Sequence, residues 1–185
     1  MQQANSAKPA QRLATKYRFD DEDMDLFFVA ALGWGPAGGL DVGQTFHVAS
    51  QITDGDGESW VRAFAGQGEL LDVQADDWLA RGARRNAGEA RLKAFAAYRS
   101  SWQFASPYAP DFAANYARHQ RAFAKAMDEL QLPATFFQVP WESASLPCCL
   151  PSRRPCLASR RTSARCRPYA VCWLSVLHQF CSPQK

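Results

Sequence analysis

Six cysteines, Cys148, Cys149, Cys156, Cys166, Cys172 and Cys181, crowd the last part of a chain that uses none in its first 147 residues. With His178 they raise the first chemical question, because thiolate and imidazole are the natural ligands of zinc. Structural zinc sites pair their cysteines as C-x-x-C or close to it, since two thiolates from one tight turn define an edge of the tetrahedron. Here the gaps between successive cysteines are 0, 6, 9, 5 and 8 residues, and His178 with Cys181 is the nearest approach to a knuckle. A disulfide framework belongs to exported proteins. The N-terminus MQQANSAKPAQRLATKYRF has no apolar run of the roughly 7–15 residues that a signal peptide needs, so the expectation is a cytoplasmic protein with reduced thiols.

The same segment is strongly basic. Residues 143 to 185 hold 7 basic and no acidic side chains, against 14 basic and 18 acidic in residues 1 to 142. Arg153, Arg154, Arg160, Arg161, Arg165 and Arg167 would attract phosphates in a salt-dependent way, so non-specific nucleic-acid binding by the tail is one expectation. All eleven glycines lie between Gly33 and Gly88, and no period of 2 or 3.6 persists beyond Pro147. A sequence shaped by folding shows agreement between local pattern and packing, and this stretch shows little. The preferred reading is therefore a shifted frame or a joined gene from about codon 143 to 148. A zinc-binding or nucleic-acid-binding tail on a small helical interaction module remains the alternative.

Among the other polar residues, His119 lies on an apolar helical stripe, where a packed histidine with one hydrogen bond is the simpler account than a catalytic base without a partner acid. His47 sits beside Phe46 on a short helix. The run Asp20, Asp21, Glu22, Asp23 and Asp25 reads as a solvated helix start rather than a cation site. Trp60, Trp78, Tyr98 and Trp102 suit inter-helix packing, with a pocket for an apolar moiety as the functional alternative. No catalytic, cofactor-binding or metal-binding residue is assigned, and no cofactor is expected.

The elements that would position these side chains are mostly helices. A first runs from near Asp23 to Gly33, behind its acidic start and before the turn GWGPAGG. Asp41 is the N-cap of a second, with Val42, Phe46, Ala49 and Ile52 on its face. Trp60, Phe64, Leu71, Ala75 and Trp78 mark a long third helix from about Gly57 to Arg81, in which Gly66 and Gly68 call for a packing reason or a bend. Asn86 and Glu89 have the spacing of a capping box for a fourth, with Leu92, Phe95, Tyr98 and Trp102 along one side. Pro110 opens a fifth, whose stripe Phe112, Tyr116, His119, Phe123, Ala126 and Leu130 steps by four, three, four, three and four. ATFFQVPWE, residues 134–142, is strand-like, and Leu146-Pro147 after ESAS suggests that a hairpin begins.

AFAAYRSSWQFASP, PDFAANYARHQRAFAKAMDEL and ATFFQVPWESASLP, in that order, resemble the N-terminal helical cap of α/β hydrolases related to the fermentation-respiration switch esterase and to dihydropseudooxynicotine hydrolase. The resemblance spans about residues 22 to 147. Val139-Pro140-Trp141-Glu142 and Leu146-Pro147 match the family's entry into the hydrolase sheet. Ser143 departs from the usual glycine, and Cys148-Cys149 replace a pair such as Gly-Tyr. The resemblance implies ester, amide or related hydrolysis by a serine nucleophile with an acid and a histidine. That chemistry places the serine on a strained G-x-S-x-G turn, and the sequence contains no such motif.

The expected architecture is mainly α: a flexible lead over 1–19, a cap-like domain of about five helices over 20–132, entry strands over 133–147 and a basic, cysteine-rich tail over 148–185. The expected state is a cap without its catalytic machinery, inactive by itself. Helices meant to cover a sheet would leave apolar surface open, so self-association is expected and no specific partner is. The longest apolar stretch, around Tyr169 to Leu177, falls well short of the roughly 20 residues that span a bilayer.

Overall fold

The computed structural model of the protein describes residues 16–142 and 144–151. Among them five α-helices run in order, α1 (Glu22–Gly33), α2 (Val42–Ala49), α3 (Gly57–Ala80), α4 (Arg84–Ser101) and α5 (Pro110–Glu129), followed by strands β1 (Ala134–Trp141) and β2 (Ala144–Pro151). Short 3-10 turns follow α1 and α4. The mainly helical class expected from the sequence, ending in short strands, is the one observed.

Local chemistry fixes most of the helix starts. Asp21 caps α1 by accepting from the Met24 N–H at 2.8 Å, and Asp56 accepts from the Glu58 and Ser59 N–H groups at the head of α3. Asp41 and Gln44 form a reciprocal capping box on α2, each side chain accepting from the other's backbone N–H. Such caps satisfy donors that no helical carbonyl can reach and are each worth about 1 kcal/mol. Pro110 occupies the first turn of α5, where its missing N–H costs nothing.

Two expectations are corrected. Asn86 and Glu89 form no capping box: α4 begins at Arg84, its N-cap position is Ala83, and Glu89 instead accepts from Arg85 Nε at 2.9 Å. Gly82, at φ 76°, ends α3 in a left-handed conformation, and the chain then turns directly into α4, leaving no room for a later start. On α2 the buried face is Thr45, Val48 and Ala49, while Val42 and Phe46 are largely exposed. The helix makes barely two turns, so its orientation is set by what packs on it rather than by its own pattern.

Helix α4 is the centre of the molecule and packs along both α3 and α5. Phe19, Phe28, Trp60, Phe64 and Tyr98 are fully buried in one core. The Trp60 ring meets Phe19, Phe64 and Phe104 at centroid distances of 5.9, 4.7 and 5.0 Å, and its Nε1 donates to the Ser100 carbonyl at 2.8 Å. Burial of side chains this large is worth roughly 1.5–3 kcal/mol each. The acidic run is not uniformly solvated: Asp25 is buried and accepts the backbone N–H groups of Tyr17, Arg18 and Phe19. Burial opposes its charge, but those N–H groups hold its carboxyl below the usual range. They also tie Phe19, which the sequence placed in the lead, into the core.

A charge network that sequence reading missed joins the three long helices. Arg91 of α4, only 1% exposed, meets Asp72 at 2.5 Å and Asp76 on α3, and Glu129 of α5 at 3.5 Å. Tyr98 Oη donates to the other Asp72 oxygen at 3.0 Å. Burial alone would weaken the guanidinium's charge, yet the carboxylates around it keep its pKa above the ordinary value. Glu129 is pushed up by burial despite Arg91.

Strands β1 and β2 pair antiparallel in the register Phe136 with Cys149 and Phe137 with Cys148. Only Glu142 and Ser143 connect them, and Glu142 has φ 50°, the positive value that such tight hairpin links demand. Successive residues of a strand face opposite ways. Phe136 therefore points toward α5, where it meets Phe123 edge-on at 6.2 Å, while Phe137, Val139 and Leu150 form an open apolar face.

Candidate functional site

The hairpin does not lie flat on the helices. It leaves a cavity of about 460 Å³ between α4, α5 and β1–β2. Four aromatic rings line it: Phe95 from α4, Tyr116 and Phe123 from α5, and Phe136 from β1. The α5 residues recur at helical spacing, so the stripe Tyr116, His119, Phe123 that marks this helix in the sequence is also the floor of the cavity. Pro147, Cys148 and Cys149 close the far side. The polar groups include Arg99, Arg121, Gln120 and His119, and among the described residues no carboxylate lines the site.

His119 is 7% exposed and has the single hydrogen bond that a packed histidine needs. Its Nδ1 is 3.1 Å from the Phe95 carbonyl oxygen, which can only accept, so the neutral ring carries its proton there. The imidazole stacks on Phe95 at 4.2 Å and lies 4.9 Å from the Trp102 ring. Burial, reinforced by the nearby Arg99 charge, lowers its pKa to about 4. At neutral pH it is an uncharged, weakly basic ring, and no acid orients it as a catalytic triad requires.

Arg99 is half-buried between aromatic faces, its guanidinium carbon 5.6 Å from the Trp34 ring and 5.9 Å from Trp102. Burial lowers its pKa. Among the described residues no carboxylate lies within ion-pairing distance of it, unlike Arg91. Burial also raises the thiol pKa of Cys149, which keeps it protonated. The arrangement can hold an apolar body and present a cation to it; it contains no assembled nucleophile and base.

The aromatic residues suggested by sequence for a pocket do not line this cavity. Trp60 and Tyr98 belong to the core, Trp78 packs on the small Ala75, Ala87 and Ala90 cluster, and Trp102 supports the cavity from behind by stacking on Tyr116 and meeting His119 at a tilt. His47 is exposed on α2, away from the cavity. Cys148 and Cys149 are adjacent on one strand and so face opposite ways, which prevents them from sharing one metal ion. Among the described residues no group of three or more histidines, cysteines or acids is placed to hold a metal. Cys156, Cys166, Cys172, Cys181, His178 and the tail arginines lie outside the described residues. No described helix is long and apolar enough to cross a membrane.

A helical layer that runs into strands is the arrangement the hydrolase resemblance implies; the cavity at their junction is a feature of the structure alone. Sequence relatives bear on the same class. The chain is 33% identical over 146 residues to Hydrolase ORFZ of Pyricularia oryzae, covering 74% of this chain and 34% of that protein. It is 31% identical over 127 residues to the 20-hydroxy-prefusarin hydrolase FUS2 of Gibberella moniliformis, covering 67% and 30%, and 30% identical over 141 residues to Hydrolase acrC of Aspergillus aculeatus, covering 74% and 33%. The chain thus spans about a third of the length of the curated relatives it matches. No family model matches it. The crystal structure of the 2,6-dihydroxy-pseudo-oxynicotine hydrolase aligns with a TM-score of 0.48 at 18% identity, covering 64% of this chain and 33% of that one. Over two thirds to three quarters of its length, the chain is thus similar to part of proteins named as hydrolases.

Proposed function

We propose that residues 20–147 are the cap-like helical layer and first hairpin of a hydrolase, and that the cavity between them is part of its substrate-facing side. The observation that carries this reading is the position of the cavity, at the seam where α4 and α5 meet the hairpin, with aromatic walls from both. The parent activity is hydrolysis of an ester, amide or related bond by a serine nucleophile. The present sequence contains no G-x-S-x-G, and neither histidine among the described residues contacts an acid, which supports a chain inactive by itself. Purified chain offered short-chain p-nitrophenyl esters should give the blank rate; turnover blocked by a serine-directed phosphonate would contradict the reading.

The same proposal takes the sequence after about residue 147 as a truncation and shift of frame, supported by its loss of acids, glycine and periodicity. The nucleotide sequence beyond codon 147 should contain G-x-S-x-G in another frame, and its lack in both would contradict the shift. A cytoplasmic location and non-specific nucleic-acid binding by the basic tail belong to this reading too. Cell fractionation and the salt dependence of DNA retention test them, respectively.

A further inference from the structure

The cavity carries a charge imbalance that aromatic packing does not explain. Arg99 and Arg121 both line it, among the described residues no carboxylate does, and the Arg99 guanidinium is partly withdrawn from water between two indole rings. A half-buried cation without a counter-charge is costly, and a bound anion is the direct remedy. Phe95, Tyr116, Phe123 and Phe136 add ring faces to the wall, and Gln120 and the Tyr116 hydroxyl add uncharged polar groups. Its volume of about 460 Å³ falls in the roughly 300–1,000 Å³ range of small-molecule sites.

We propose that this cavity binds a flat aromatic carboxylate, its rings against the aromatic wall and its anionic oxygens on Arg99. Planar guanidinium suits this role because it offers parallel N–H groups to the two oxygens of a carboxylate. Neutral His119 beside it adds no competing charge at neutral pH. The inference deepens the hydrolase reading and rests on it only for regarding the ligand as a substrate. Binding itself is independent of turnover, so failure of the ester assay leaves it standing.

Calorimetric titration of the full chain with 2-naphthoate and with its neutral counterpart 2-naphthamide tests the proposal. Naphthoate should bind about tenfold more tightly or better, the range of a charge-assisted hydrogen bond, and the preference should shrink as sodium chloride is raised. Arg99→Gln should bring the two ligands to within about twofold of each other with the far-UV circular dichroism unchanged. Ala124→Trp, at an exposed α5 position on the cavity wall, should abolish binding of both. Equal affinities in the unaltered chain, a preference that survives Arg99→Gln, or undiminished binding by Ala124→Trp would each overturn it. Should Arg99→Gln fail to fold, the naphthoate preference, its salt dependence and Ala124→Trp decide the matter alone.

Discussion

Gly68 faces the ring of Tyr98 so closely that a Cβ added to it would stand 2.6 Å from Cε1. The ring has no room to yield, since its hydroxyl is held by Asp72 and the residue is buried. Gly68→Ala should therefore destabilise the protein by about 1–2 kcal/mol, overpacking outweighing the better helix propensity of alanine. Gly66, two residues earlier on α3, has nothing within 4 Å of the equivalent position, and Gly66→Ala should stabilise by about 0.5–1 kcal/mol. Urea unfolding of the two variants reads opposite signs.

Arg91 predicts a second contrast. Arg91→Ala leaves Asp72 and Glu129 without their shared cation in the seam of three helices, and should cost about 3–5 kcal/mol in the same measurement. Asp76→Asn removes a partner whose side chain is mostly exposed, and should cost under about 1 kcal/mol.

His119 gives the stability a pH dependence of known sign. Its folded pKa, about 4, lies below the ordinary 6.5, so the unfolded chain binds the proton first. The stabilisation is complete above pH 6.5 and is lost as pH falls toward 4, by about 3 kcal/mol. Glu129 acts in the opposite sense, because its raised pKa favours the folded state at low pH and that benefit fades as pH rises. His119→Gln isolates the histidine: the difference between the two stability profiles should widen with pH across that window.

The open face of the hairpin predicts association. Phe137 is 45% and Leu150 57% exposed, on the side of the sheet opposite α5. At concentrations of about tens of micromolar, where such patches self-associate, gel filtration should show species larger than one chain. Phe137→Lys with Leu150→Lys should return the monomer.

How much of this was legible in the sequence depends on whether a feature is local. The cap at Asp41, the first-turn Pro110 and the long stripe of α5 are local, and the structure has them where the pattern predicts. The need for a packing reason at Gly68 was also readable, although its partner Tyr98 was not. Asn86 and Glu89 misled because a capping box is a pattern of spacing alone, and the tight turn at Gly82 had already started the helix. The Asp72, Asp76 and Arg91 network shows only as two acids four apart, with nothing to say which basic residue they meet. The cavity depends on where the hairpin stands over α5, a relationship between elements, so its Arg99 and Phe136 carried no signal of their own.

The central proposal is that the helices form the cap-like layer of a hydrolase and the hairpin its first strands. Its most direct test is a chimera in which residues 22–147 replace the matching segment of Hydrolase ORFZ, assayed for ester hydrolysis beside the unaltered relative. The account predicts a folded chimera that turns over the ester with altered substrate preference. A folded chimera with no turnover, where the relative itself is active on the same ester, would contradict it.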